Sequence, residues 1–153
     1  MKHAILIMAH KNIETLHHLV DYFNKDCYVF IHIDKKTKIK DETIQHIETK
    51  PQVVKIYRQY NVHWGGFSML KCEMFLLKEA YKLSDADYFH LISGEDYPIK
   101  PLNEFNDFFV KGMGGNLFHT FIFQTRIFKV ILIIDFVIIF HMTYLKTEKV
   151  HNY

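Results

Sequence analysis

Cysteine, proline and glycine are scarce in this 153-residue chain, at two, three and six residues. Two cysteines, Cys27 and Cys72, are too few for a disulfide framework or a zinc set, so a reducing compartment suits the chain. No signal peptide precedes the first apolar run, and the expected location is the cytoplasm or a membrane surface, without an N-terminal signal or anchor. The glycine-based signatures are missing too. There is no GxGxxG, no GxxxxGK[ST] and no GxSxG, which removes the dinucleotide, P-loop and nucleophile-elbow modes. Charge of one sign is also lacking: a net charge of +2 leaves no basic face for phosphate neutralisation, so no nucleic-acid partner is expected. What is present, 49% hydrophobic and 16% aromatic residues with 24% charged, supplies the apolar surface of one globular domain and excludes a disordered or low-complexity chain.

Apolar runs and helical periodicities alternate along the chain. Ala4 to Met8 reads as a buried strand ending in the polar turn Ala9-His10-Lys11-Asn12. Asn12 can cap a helix that carries Ile13, Leu16, Leu19, Val20 and Phe23 through Asn24. Tyr28 to Ile33 is β-branched and aromatic and predicts a second strand, ending at Asp34. A weak helical signal at Ile44 and Ile47 precedes Pro51, and Val53 to Tyr57 predicts a third strand. Ser68 can cap a helix through Leu70, Met74, Leu77 and Tyr81, Tyr88 to Ile92 is a fourth strand, and Asn103 to Val110 a short helix. Strands alternating with helices imply right-handed crossovers and a parallel sheet, hence an α/β domain with its polar loops at the strand ends.

The chain changes character after residue 111. All three prolines lie before position 102, whereas Ile127 to Phe140 is apolar apart from Lys129 and Asp135. That run is shorter than the ~20 apolar residues of a membrane-spanning helix and has an acid in its middle. Three readings stay open for 112–153: a buried strand or helix, a membrane-associated segment, or a tail foreign to the rest of the domain.

The strand-end turns gather Met8-Ala9-His10, Asp34-Lys35-Lys36, Val62-His63-Trp64-Gly65-Gly66 and Ser93-Gly94-Glu95-Asp96 on one rim. A carboxylate at a strand terminus can accept hydrogen bonds from a ribose or base, and a Gly-Gly turn lets backbone N–H groups approach an anion, so together these turns describe a nucleotide pocket. Each acid, His or Gly-Gly pair by itself reads as an ordinary turn. The adjacent His17-His18 cannot face one metal from one side of a helix, and His32 with Asp34 lacks further ligands. Asp85-Ala86-Asp87 precedes a strand and reads as a turn; Cys72 sits among apolar helix neighbours as a packing thiol.

His3 to His10 (HAILIMAH), His32 to Lys36 (HIDKK), Val62 to Ser68 (VHWGGFS) and Asp87 to Lys100 (DYFHLISGEDYPIK) occur in an order and spacing that resemble the core-2/I-branching β-1,6-N-acetylglucosaminyltransferase and peptide O-xylosyltransferase family. The resemblance covers about residues 3 to 110. It implies a GT-A-like, Rossmann-type part of a catalytic domain over residues 1–111, which binds a UDP-sugar and transfers GlcNAc or xylose, with inversion, to a hydroxyl of a glycan or protein acceptor. By that similarity Met8, Ala9 and His10 line the uracil end, Asp34 sits at the uridine, and Val62, His63 and Trp64 close over the nucleotide. Lys36 and Gly65 complete the UDP-sugar set, and Asp96 shapes the sugar side. The family uses basic side chains rather than a metal against the diphosphate, so no metal or other cofactor is expected. Its catalytic Glu and its phosphate-binding Arg and Lys belong to a C-terminal half without a counterpart here, so no catalytic residue is assigned; Glu95, Arg126 and Lys129 do not take those places by position. Two rivals remain beside the transferase: a UDP-binding pseudoenzyme or inactive fragment, and a non-enzymatic, peripherally membrane-associated interaction protein.

Overall fold

The computed structural model describes residues 2–63, 65–110 and 137–138. Four strands, β1 (His3–Ala9), β2 (Cys27–Ile33), β3 (Val53–Tyr57) and β4 (Tyr88–Ser93), form one sheet in the order β3-β2-β1-β4. Every neighbouring pair is parallel, with His3 opposite Cys27 and Tyr88, and Ala9 opposite Ile33. The central strands β1 and β2 are apolar at nearly every position because both their faces are covered. β3, at the edge, turns Val54 and Lys55 outward.

The crossovers explain the two faces. Helices α1 (Ile13–Tyr22) and α2 (Asp41–Glu48) bring Leu16, Leu19, Val20 and Ile47 onto Ile5, Ile7, Val29, Ile31 and Ile33. The long crossover from β3 to β4 runs through α3 (Phe67–Leu83), which lays Leu76 and Ala80 on Ala4, Leu6, Phe30 and Phe89 across the opposite face. Successive strand residues point to opposite faces, so the alternation Ala4, Leu6 against Ile5, Ile7 divides one strand between two cores. After β4 the chain forms the short β5 (Tyr97–Pro98), which pairs antiparallel with β6 (Val137–Ile138), and the helix α4 (Leu102–Val110).

Several boundaries differ from the sequence reading. α1 ends at Tyr22 rather than Asn24, with Phe23 already extended (φ −82°, ψ 140°). Asn12 does occupy the cap position of α1, but in a left-handed conformation (φ 51°) and without a side-chain bond to the helix; its amide is spent elsewhere. Gly66, not Ser68, caps α3, and Ser68 instead accepts the His63 N–H on Oγ at 2.8 Å. The weak signal around Ile44 becomes a full helix because Ile47 is anchored in the core, a tertiary gain that outweighs low propensity. The apolar run Ile127 to Phe140 and the segment 112–153 lie outside the described residues apart from Val137–Ile138.

α4 docks by an aromatic cluster. Phe105 and Phe109 sit 5.0 Å from the His3 ring, and 5.2 and 5.3 Å from that of His90. His3 Nδ1 and His90 Nε2 are 3.0 Å apart in a hydrogen bond, both residues being almost fully buried. Burial pulls His3 down to about 4 and His90 to about 3, so both rings are neutral near pH 7.

Candidate functional site

A sheet ordered β3-β2-β1-β4 reverses direction between β1 and β4: the chain leaves β1 towards β2 on one side and returns through α3 to the other. Loops diverge at such a point, and ligands of open α/β sheets bind there, outside the carboxyl ends of the strands. The loop after β1 and the turn after β4 meet at this place. Gly94 N donates to Met8 O at 2.8 Å, and a Cβ on Gly94 would lie 2.7 Å from the Ala9 Cβ. Only glycine permits that approach.

Asp34 organises the neighbouring loops. Its N–H donates to Ala9 O at 2.8 Å; its Oδ1 accepts the Lys36 N–H at 2.8 Å and its Oδ2 the Val62 N–H at 3.1 Å. Lys36 Nζ reaches Val62 O at 3.0 Å and stands 3.8 Å from the same carboxylate. Thr37 Oγ1 donates to His10 O at 2.7 Å. Met8, Ala9, His10, Asp34, Lys36 and Val62 are therefore one connected group. Asp34 is buried and acts through backbone N–H groups, fixing where the loop before α3 crosses the rim.

The β4 turn is built the same way. Asp96, also buried, accepts the Ser93 N–H on Oδ2 at 2.7 Å, and Ser93 Oγ accepts the Glu95 N–H at 3.2 Å. This aims Glu95 back across the switch point, where Lys11 Nζ lies 3.2 Å and His10 Nε2 4.0 Å from its Oε2, while the Asn12 amide donates to Oε1. Sequence reasoning placed Glu95 on the rim without a role; its partners Lys11, His10 and Asn12 are far along the chain, and no local signal names them.

The remaining expected residues are placed further out. His63 is exposed and tied by its N–H to Ser68; Gly65 is exposed and left-handed (φ 65°), a conformation that glycine adopts without strain. Neither hydrogen-bonds to the Asp34 carboxylate among the described residues, and Trp64 lies outside them. His32 is buried and accepts the Tyr60 N–H on Nε2 at 3.0 Å, with burial lowering its pKa. Among the described residues no group of three or more His, Cys, Asp or Glu is arranged to hold a metal ion. Asp85 and Asp87 stand at the opposite end of the sheet, binding Lys2: Asp85 Oδ2 is 2.6 Å from its Nζ, and Asp87 Oδ2 accepts its N–H at 2.9 Å. Cys72 is buried on α3, and burial pushes its thiol up to about 12, the behaviour of a packing group.

The sequence model of the Core-2/I-Branching enzyme family matches residues 4–126, the whole sheet and its rim included. The chain belongs to that family. The match runs on past residue 111, where the recognisable motifs stop. Xylosyltransferase sqv-6 of Caenorhabditis briggsae is 26% identical over 91 residues, which cover 57% of this chain and 11% of that protein. This branching-enzyme family member thus spans a small share of the curated relative it matches. Its parallel sheet with flanking helices is that of a partial GT-A-like α/β domain. No helix among the described residues is long and apolar enough to cross a membrane.

Proposed function

We propose that this chain carries the nucleotide-sugar-binding part of an inverting glycosyltransferase that uses a UDP-sugar, with GlcNAc or xylose as the transferred sugar and a glycan or protein hydroxyl as acceptor. The observation that carries the reading is the rim itself: the buried Asp34 carboxylate ties the loops after β2 and β3, and the buried Asp96 carboxylate closes the turn after β4. The Asp34 and Gly94 N–H groups bond both to the end of β1 at the switch point. Family membership and the partial likeness to a xylosyltransferase support it. In this reading Met8, Ala9, His10 and Val62 line the uracil end, with Asp34 and Lys36 at the uridine. His63, Gly65 and Trp64 belong to the loop that closes over the nucleotide, and Asp96 frames the sugar side.

Inverting transfer needs a base for the acceptor hydroxyl and cationic groups for the leaving diphosphate. For the second role Lys11 and Lys36 stand on the rim, though each is already engaged, Lys11 with Glu95 and Lys36 with Val62 O and Asp34. The first role has no occupant among the described residues, because Asp34, Glu95 and Asp96 are all engaged as hydrogen-bond or ion-pair acceptors. That engagement favours a second reading, in which the chain binds UDP without turning it over.

Amide NMR titration of the full chain with UDP, with AMP as control, tests both. Saturable shifts at residues 8–10, 34–36 and 62–63 with UDP alone are expected. Equal response to AMP, or none to either nucleotide, refutes the pocket. UDP release from UDP-GlcNAc or UDP-xylose with an acceptor then separates transferase from binding module.

A further inference from the structure

α3 is apolar on two sides. Cys72, Leu76 and Ala80, four apart, are buried against the sheet. Phe67, Leu70, Met74, Leu77 and Tyr81 recur at alternating spacings of three and four, the a/d pattern of a helix-pairing seam. Phe67 is 79% exposed, Leu70 51%, Met74 57% and Tyr81 51%. At about 100° per residue this stripe is centred roughly 140° around the helix from the buried row, so most of it lies beyond the sheet, with Leu77 at its edge packed partly against the sheet core. With Leu83, these make α3 the site of most of the large exposed hydrophobics among the described residues, and a contiguous stripe of this kind marks an interaction surface.

The flanking charges select the partner. On the heptad that places Phe67 at a, Lys71 and Lys78 fall at e and Glu73 at g. Glu73 is half-buried and makes no hydrogen bond or ion pair among the described residues; its burial raises its pKa. Lys78 is exposed and likewise without an ion pair there. In a parallel helix pair a g residue meets the e residue five positions on in the other helix, which brings Glu73 to Lys78 of a second copy, twice by symmetry. In an antiparallel pair the e rows face each other, and Lys71 would oppose Lys78. We propose that α3 is the seam of a parallel, two-fold homodimer of this chain.

The seam follows the 17 residues of α3, about 25 Å of helix, and buries on the order of 1,000 Å² in all, at the low end for a specific interface. The dimer is therefore weak, dissociating in the micromolar range or above. It does not depend on the nucleotide reading.

Sedimentation of the full chain from about 5 to 500 μM tests it. The mass should rise from 18.4 kDa towards twice that value. Met74→Glu, at the seam centre, should keep the far-UV spectrum and stay monomeric; Leu70→Glu serves if that variant fails to fold. Lys78→Glu should weaken the dimer at least several-fold, and adding Glu73→Lys should restore it. Phe67→Cys should cross-link under oxidation, since only the parallel arrangement sets the two copies of residue 67 face to face. A monomer at every concentration overturns the proposal; if its Phe67→Cys thiol also resists a maleimide, the chain's own later residues occupy the stripe. A dimer indifferent to Met74→Glu and Leu70→Glu overturns it as well.

Discussion

Acid is expected to unfold this domain through two buried rings. His3 and His90 titrate near 4 and 3 in the folded chain, chiefly through burial, and near the ordinary 6.5 once unfolded. Below pH 6.5 the unfolded chain binds protons that the folded chain refuses, so stability falls as pH drops towards the folded values and is fully present above 6.5. At pH 5 each ring should have cost about 2 kcal/mol, or roughly 4 kcal/mol for the pair, against the 5 to 15 kcal/mol that holds a typical domain. His17 and His32 are shifted in the same direction and Glu73 in the opposite one, so the test is a difference. Urea unfolding followed by circular dichroism at pH 7 and pH 5 would compare the natural chain with His3→Phe/His90→Phe, whose new rings join the cluster of Phe105 and Phe109. The double variant should lose several kcal/mol less than the natural chain over that interval; if it does not fold, His3→Phe alone should recover about half the difference. Equal losses in natural chain and variant would refute the assignment of acid sensitivity to this pair.

Other perturbations read other parts of the structure. Gly94→Ala forces its Cβ against Ala9 and should cost about 1 to 3 kcal/mol in thermal or urea unfolding; a neutral result would mean that the β1 and β4 loops are not held in contact. Phe30→Ala opens a cavity beneath α3 and should cost about 3 to 5 kcal/mol, measured in the same way. Asp34→Asn retains an acceptor but loses the charge facing two N–H groups and Lys36, and is expected to weaken UDP binding at least tenfold by calorimetry while the sheet persists; unchanged affinity would remove Asp34 from the pocket. Cys27 and Cys72, raised to about 11 and 12 by burial, should ignore Ellman's reagent at pH 8 until urea is added.

What these residues could say by themselves was the list of elements. Period-two and continuous apolar runs identify strands, and period-3.6 runs identify helices, because burial acts on faces and faces are periodic in the chain. The parallel sheet followed from their alternation, and the rim from the rule that polar loops gather at strand ends. Ordered motifs also carried the family. Local signals failed where a side chain had a distant competitor for its bond. Asn12 looks like a helix cap but gives its amide to Glu95, and Ser68 looks like a cap but receives the N–H of His63. Asp34 and Asp96 read from the sequence as acids of the rim, but that their oxygens accept N–H groups of the surrounding loops is decided by the tertiary structure. The His3 and His90 pairing joins strands that are far apart in sequence and adjacent only because the crossover through α3 returns β4 beside β1. Periodicity records what each segment buries, whereas the partner of a polar group is decided by which segments the fold brings together.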